Sequence, residues 1–340
     1  MKLKSIRLFF IALFLSLAMA EGLLRLLGVA ATQSEQQGKP YYSLYDQTIG
    51  NHYRLLRWNT DYRNTTSEFD YLHRINRYGF VGEAPAPVAP RSRWMVFGDS
   101  FTEGVGAQSP DSSFPALLHD RLHVRWPDSV EVINFGNGGS DVVFAVRYLQ
   151  DSSLRFAPAR VVMSLNATDW SDIIQWGGEE RFLPDGTARS APGPWYTSLY
   201  EYSRIFRLLG LKFFALHPVS LLPPRQQADA IDQSGVIILQ TLLKADSFCR
   251  KNNIELVVVV HPFGADLSNE HNRQLPNPEL KKLAEALRQN RVRCIDLWAP
   301  MREVIHPENG TEYHWPMDGH YTHRGYGLMA QILADSLTAP

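Results

Sequence analysis

Five short, nearly uninterrupted apolar segments alternate with amphipathic segments over most of the chain, and this alternation limits the possible folds more than any other feature. The five segments are RWMVFGDS, VEVINFG, ARVVMSLNATD, IELVVVVHPFG and VRCIDLW. None of them alternates between apolar and polar residues, as a strand with one solvated face would. Such segments are typical of the strands of a parallel sheet that helices cover on both faces.

The segments between these strands have the apolar spacing of helices. In DSSFPALLHDRLHV, for example, Phe114, Leu118 and Leu122 recur at intervals of four residues. We therefore predict a flavodoxin-like, three-layer α/β/α domain with a central five-stranded parallel sheet over residues 93–340. In sheets of this kind the reactive groups lie in loops beyond the carboxyl ends of the strands.

The alternation is interrupted after the third strand. Residues 170–226 contain a Gly- and Pro-rich stretch and then the aromatic, apolar stretch YTSLYEYSRIFRLLGLKFFALH. We predict an insertion over the strand ends, with a helix near residues 199–214. Its apolar face is assigned to the core by default, and a membrane-facing patch and a lid are the alternatives.

The N-terminus has the layout of an export signal. Lys2, Lys4 and Arg7 precede an apolar run over residues 8–20, which ends in the A-x-A pattern of a cleavage site. The run alone is shorter than the roughly 20 residues of a membrane span, but the following EGLLRLLGVA extends it. Residues 1–31 are therefore predicted to be a cleaved signal or a retained anchor, and both place the rest of the chain outside the cytoplasm.

A polar, aromatic-rich lead-in over residues 32–92 separates this segment from the predicted domain. The formal net charge of −1 gives no basis for binding nucleic acid. Cys249 and Cys294 belong to no C-x-x-C or Cys/His cluster, which argues against a zinc site. We expect no metal or organic cofactor, and the two thiols either form a disulfide or stay separate.

A candidate nucleophile follows the first strand. Ser100 comes directly after that strand in a Gly-Asp-Ser sequence, with small residues behind it. A serine hydroxyl needs a base to take its proton. His320 is the candidate base, because it lies between the last strand and the last helix with Asp318 two residues upstream. His323 is a competing candidate.

Acyl transfer also requires hydrogen-bond donors for the oxyanion. The second strand is followed by NFGNGGSD, in which Gly139 offers a backbone N–H, and the third strand is followed by Asn166 and Thr168. His261 ends the fourth strand. It is a possible substrate contact, although a structural His-Pro at a strand end is the favoured interpretation.

Four blocks of this sequence resemble those of the SGNH, or GDSL-type, hydrolases. These blocks are GDSFTEG, NFGNGG, SLNATD and DGHYTHRGYG. The lead-in RINRYGFVGEAPAP and the segment EGLLRLLG resemble the exported bacterial branch of the family. The resemblance implies a serine hydrolase in which Ser100 is the nucleophile, His320 the base and Gly139 a backbone donor to the oxyanion.

The sequence departs from the family pattern in two places. Thr168 stands where the family has its oxyanion asparagine, and Asn166 stands where it has glycine. We favour Asn166 as the donor because a carboxamide reaches further than a hydroxyl. Asp318 is two residues before His320 instead of three, so a Ser-His dyad is the alternative to a triad. Gly325 lies five residues after His320, as in the family, and this favours His320 over His323.

Three functions are compatible with these observations. The leading hypothesis is an extracytoplasmic serine esterase that removes acyl groups, such as acetyl, from a polysaccharide or another envelope glycan. The alternatives are a polysaccharide O-acetyltransferase with the same site and a non-catalytic glycan-binding or assembly protein on a degenerate scaffold. The expected partners are an ester-bearing glycan and, if the N-terminus is retained, the inner membrane. The expected location is the periplasm or the outer side of the cytoplasmic membrane.

Overall fold

Five parallel strands form the centre of the protein, as the alternation of apolar segments predicts. The computed structural model describes residues 3–30, 61–78, 80–86, 92–127, 129–182, 196, 199, 202–214 and 223–337. After a small antiparallel hairpin, β1 (Tyr62–Thr65) and β2 (Asp70–His73), the sheet strands are β3 (Ser92–Gly98), β4 (Val130–Gly136), β5 (Arg160–Leu165), β6 (Glu255–Val260) and β7 (Arg293–Asp296). The sheet order is β4-β3-β5-β6-β7 with every neighbouring pair parallel. This is the predicted flavodoxin-like order.

Helices precede, connect and follow the strands. They are α1 (Leu3–Leu26), α2 (Ser100–Glu103), α3 (Phe114–Arg125), α4 (Val142–Ser152), α5 (Thr168–Trp176), α6 (Arg204–Leu209), α7 (Pro224–Lys251), α8 (Gly264–Ser268), α9 (Pro278–Gln289), α10 (Trp298–Arg302) and α11 (His323–Ser336). Several begin at residues that cap the first turn. Asp141, for example, accepts a hydrogen bond from the Phe144 N–H at the start of α4.

The sheet separates two apolar cores because successive residues of a strand face opposite sides. In β3, Met95 and Phe97 join the core beneath α4, α7 and α9. Trp94 and Val96 join the opposite core, beneath α3 and α11. The strands are therefore buried on both faces, which explains why their sequences show no polar alternation.

The lead-in contributes to both cores. Phe69 and Tyr71, from the hairpin, pack in the α3 and α11 core. Phe80 packs in the other core, where its ring lies 4.2 Å from that of Phe135 between centroids. The described part of the lead-in is therefore packed against the sheet domain. The boundary at residue 92 stays a prediction.

The structure also describes part of the predicted insertion and both cysteines. Within the described residues, the helix expected near residues 199–214 is α-helical at Leu199, at Tyr202 and in α6, and continues as a π-helical turn, Gly210–Phe214. Its apolar residues Leu209, Phe213 and Phe214 are exposed, so the default assignment of this face to the core does not hold for them. Cys249 and Cys294 are both free thiols, the first fully buried.

A close approach between β4 and α2 predicts a sensitive glycine. A Cβ added at Gly136 would lie 2.1 Å from the Glu103 backbone nitrogen, whereas one at Gly327 in α11 would meet nothing within 4 Å. We expect Gly136→Ala to destabilise the protein by about 1–3 kcal/mol through overpacking. Gly327→Ala should be neutral or stabilising by up to about 1 kcal/mol because alanine favours helix. Urea unfolding of both variants in detergent measures the difference, and equal effects would contradict this packing.

Candidate active site

The end of β3 delivers Ser100 to the carboxyl edge of the sheet. Strand β3 is flanked by β4 on one side and β5 on the other, so the chain leaves it at the point where the strand order reverses. Asp99 caps α2 by accepting a 2.9 Å hydrogen bond from the Phe101 N–H. Ser100 is therefore the first residue of a helix, with its side chain half-buried at the cleft.

Ser100, His320 and Asp318 form a continuous chain of contacts. The Ser100 Oγ lies 2.7 Å from the His320 Nε2, and the His320 Nδ1 contacts the Asp318 Oδ1. Gly319 lies between Asp318 and His320 and has a φ of +87°. This turn lets Asp318, only two residues before His320, reach the imidazole. The Asp318 side chain is 4% exposed and the His320 side chain 18%.

The rest of the imidazole environment also favours His320. The Phe101 ring packs 4.6 Å from the His320 ring between centroids and limits its rotation. His323 begins α11, and its Nδ1 is buried with no hydrogen-bond partner among the described residues. The described geometry thus joins His320, and not His323, to Ser100.

The loop after β4 lies directly against Ser100. The Gly138 N–H donates a 2.6 Å hydrogen bond to the Glu103 Oε2, and a Cβ at Gly138 would lie 3.6 Å from the Ser100 Cβ. Gly139 follows with a φ of +68°, and its N–H makes no hydrogen bond within the described ranges. The loop therefore presents a fixed, unused backbone donor close to Ser100.

Asn166 and Thr168 lie on the other side of the nucleophile, and their placements differ. Asn166 is fully buried, and its Nδ2 donates a 2.9 Å hydrogen bond to the Asp99 Oδ2. The Thr168 Oγ1 is half-buried and lies 3.0 Å from the same oxygen. The structure therefore does not present Asn166 to the cleft, contrary to our preference, because its carboxamide serves to hold the buried Asp99.

A buried polar cluster lies beneath the site. The Asn166 N–H donates a 2.9 Å hydrogen bond to Asp169, whose pKa is raised well above its usual value by burial and then by the charge of Asp99. His261 is 1% exposed, so it does not line the cleft as a substrate contact would. Burial lowers its pKa, which favours the neutral imidazole, and its Nε2 has no partner among the described residues.

Three residues outside the expected set support the site. Glu68, in the turn of the lead-in hairpin, accepts hydrogen bonds of 3.0 Å from the Met317 N–H and 2.7 Å from the Asp318 N–H. Glu103 holds Gly138, and it is itself paired at 2.7 Å with the fully buried His73. The sequence offered no signal for these contacts, because each one joins residues that are tens to hundreds of positions apart. In addition, Glu68 and His73 belong to a segment whose sequence resembles a linker.

The arrangement of Ser100, His320 and Asp318 can activate the serine hydroxyl as a nucleophile. A serine bonded to an imidazole, which is in turn bonded to a buried carboxylate, is the device by which serine hydrolases form a nucleophile. Within the described ranges, no group of three or more His, Cys, Asp or Glu side chains could hold a metal ion. The fold and the site thus define the class: an α/β protein with the site of a serine hydrolase.

The comparison with family models gives the family. The model of the GDSL-like lipase/acylhydrolase family matches residues 96–328, which is most of the chain. The protein therefore belongs to this family of serine ester hydrolases, as the four sequence blocks indicated. No curated protein matches the sequence.

Several solved structures are similar to this chain at low identity. The lipase Lip_vut3 from a goat rumen metagenome is 13% identical with a TM-score of 0.47, over 72% of this chain and 97% of that one. A catalytic mutant of the acetylxylan esterase Axe2 from Geobacillus stearothermophilus is 12% identical with a TM-score of 0.44, over 75% and 98%. A two-domain esterase active on acetylated mannans is 12% identical with a TM-score of 0.42, over 73% of this chain, which spans only 51% of that esterase.

The two hydrogen bonds to Glu68 predict that the lead-in hairpin positions the loop that carries Asp318. We expect Glu68→Ala to lower kcat about tenfold to a hundredfold with little change in KM, because small displacements of catalytic groups cost rate more than binding. Glu68→Gln keeps an acceptor and should restore part of the rate. Asp70→Ala, which removes an exposed ion pair with Arg63 in the same hairpin, is the control. Equal kcat values for all three variants would contradict the positioning role.

Proposed function

We propose that this protein hydrolyses acyl esters, and acetyl esters in particular, on an envelope or exported glycan outside the cytoplasm. The observation that carries the hydrolytic part is the hydrogen-bonded series Ser100, His320 and Asp318 at the carboxyl edge of the sheet. The location rests on the N-terminal helix, whose positive residues precede its apolar run. The glycan rests on that location, and the ester rests on the family of acylhydrolases to which the chain belongs.

The first half of the proposed reaction forms an acyl-enzyme. The Ser100 Oγ attacks the carbonyl carbon of the ester while the His320 Nε2 takes the hydroxyl proton. Asp318 holds the Nδ1 side of the ring and stabilises the imidazolium that results. The tetrahedral intermediate then collapses, the bond to the sugar oxygen breaks, and the leaving alcohol receives the proton from Nε2.

The second half regenerates the enzyme. A water molecule loses its proton to the His320 Nε2 and attacks the carbonyl carbon of the acyl-enzyme. The bond to the Ser100 Oγ breaks, and Oγ takes the proton back. The products are a free carboxylic acid, which is acetic acid for an acetyl ester, and the free hydroxyl of the glycan.

The oxyanion of both intermediates needs donors beside Ser100. We assign the Ser100 N–H, at the first turn of α2, and the free Gly139 N–H to this role. Thr168 supplies the side-chain donor in our proposal, because it is partly exposed where Asn166 is buried. Its hydroxyl must turn away from the Asn166 Oδ1, at 2.7 Å, and from the Asp99 Oδ2, at 3.0 Å, which makes it a weaker donor than the two backbone groups.

Removal of the Ser100 hydroxyl tests the nucleophile. We expect Ser100→Ala to lower the rate of p-nitrophenyl acetate hydrolysis at least about a thousandfold, because the residual rate comes from binding and the oxyanion donors alone. Wild-type protein should be labelled by a fluorophosphonate probe and the variant should not. Ser109→Ala, which removes a hydroxyl from a nearby short turn, should keep wild-type activity. Wild-type activity in Ser100→Ala, or failure of the probe to label wild-type protein, would refute the assignment.

The acyl group and the polymer are tested in the same preparation. Release of free acetate from acetylated glycans should exceed hydrolysis of long-chain esters such as p-nitrophenyl palmitate. Faster cleavage of the long-chain ester would contradict the acetyl preference while leaving the nucleophile assignment intact.

Removal of the Thr168 hydroxyl tests the oxyanion assignment. We expect Thr168→Val, which keeps the shape of the side chain, to lower kcat about tenfold without raising KM. This loss in kcat is smaller than the hundredfold or more that follows removal of a donor whose hydrogen bonds only the oxyanion. Thr168→Ser keeps the hydroxyl and should retain most of the rate. Equal losses in the two variants would assign the effect to packing and not to the donor.

A further inference from the structure

The apolar N-terminal helix α1 ends in a specific, hydrogen-bonded contact with the insertion. The Glu21 carboxylate accepts hydrogen bonds of 3.1 Å from both the Arg204 N–H and the Ile205 N–H, and one of 3.2 Å from the Ser203 hydroxyl. These donors form the first turn of α6, so a single carboxylate caps the helix. Helix α6 is thus attached to α1 and not only to its own chain neighbours.

Two buried arginines complete the contact from the other direction. The Arg204 Nη1 lies 2.9 Å from the Leu24 carbonyl oxygen, and the Arg207 Nε lies 2.7 Å from the Ala30 carbonyl oxygen. Both arginines are buried, with 7% and 3% of their surface exposed. Leu24 lies in the last turn of α1 and Ala30 lies just after that helix, so the two arginines bond both to the end of α1 and to the residues that follow it.

The helix that makes this contact is suited to a membrane. Among the described helices, one is long and apolar enough to cross a bilayer, over Lys4–Leu26, and none of its most apolar window is buried in the protein. The uncharged, mostly apolar run, residues 8–20, is shorter than a span requires. A span must therefore extend to Glu21 and the residues after it, where an ionised carboxylate needs hydrogen-bonding partners.

The partners of Glu21 come from α6, so α6 must lie at the same depth as the end of the span. The residues that follow are apolar and exposed there: Leu209 is 43% exposed, Phe213 70% and Phe214 69%. Lys212, on the same turn, is also exposed and can extend its charge toward anionic headgroups. Leu209 and Phe213 are four residues apart, which brings them together on one side of the turn.

We propose that α1 is retained as a membrane anchor, and that Leu209, Phe213 and Phe214 insert into the interface of the outer leaflet beside it. The occupant of this apolar surface is therefore lipid, held next to it by the span. Retention follows from the same contact. Cleavage after Ala20 would leave residues 21–26 as a helix of less than two turns, which is too short to be stable and to hold Glu21 in place.

The first test measures depth directly in the full chain. Protein carrying Phe213→Cys is spin-labelled and reconstituted into vesicles of phosphatidylethanolamine and phosphatidylglycerol. Val124→Cys is the matched control, because Val124 is 83% exposed on α3. The native thiols should stay unlabelled, since burial raises the pKa of Cys249 to about 12 and that of Cys294 to about 11. Wild-type protein treated with the same spin label measures any labelling of the native thiols.

Collision rates with oxygen and with a water-soluble nickel chelate give the result. We expect the label at position 213 to collide more often with oxygen than with nickel, as lipid-exposed labels do, and the label at position 124 to show the reverse. Nickel collisions at position 213 equal to those at position 124 would overturn the proposal. Protection from both reagents would also overturn it, because the surface would then be covered by protein, such as a second copy of this chain.

Two further measurements test retention and the coupling. The intact mass of protein extracted from membranes should include residues before Ala20, and a chain that begins at Glu21 would overturn retention. Glu21→Ala should lower the oxygen preference at position 213 while hydrolysis of p-nitrophenyl acetate stays unchanged. An unchanged oxygen preference in this variant would overturn the coupling. None of these readouts depends on ester hydrolysis, so their failure is separate from failure of the proposed function.

Discussion

Both oxygens of the Asp99 carboxylate are bonded inside the protein, one to the first turn of α2 and the other to side chains that follow β5. Asp99 is 3% exposed, and a charge at this depth persists only when its hydrogen bonds are satisfied. The bonds join the carboxyl ends of the two neighbouring strands from which the site is built. The direction of Ser100, the burial of Asn166 and the position of Thr168 all follow from this one group.

Two more carboxylates hold the loops near Ser100 in place by accepting hydrogen bonds. Glu103 fixes the loop that carries Gly139, through the Gly138 N–H, and Glu68 fixes the loop that carries Asp318. Bonds from backbone N–H groups to charged acceptors are among the stronger ones in proteins. The backbone around Gly139 and Asp318 is therefore held in place by side chains from other segments of the chain. One of these side chains, Glu68, belongs to a segment that precedes the sheet.

The N-terminal region contacts both the insertion and the loops around Ser100. The end of α1 is bonded to α6 in the insertion, while the lead-in hairpin is packed against the sheet and bonded to the active-site loops. The insertion and the lead-in are thus structural parts of the protein, one bonded to α1 and the other packed against the sheet near Ser100. In our proposal, lipid beside α1 covers the exposed aromatic residues of the insertion.

The sequence by itself determined the sheet and the order of its helices, and it predicted Ser100, His320 and Asp318 as the site residues, which the structure joins by hydrogen bonds. It could do so because burial on both faces leaves a continuous apolar pattern and because reactive groups follow strand ends. It did not determine which of Asn166 and Thr168 faces the cleft, that His261 is buried, or that Glu68 supports Asp318. These depend on side-chain direction and on contacts between distant segments, which only tertiary packing decides. Asn166 shows the reason most clearly: its carboxamide suits an oxyanion, but the buried charge of Asp99 is the nearer and stronger partner.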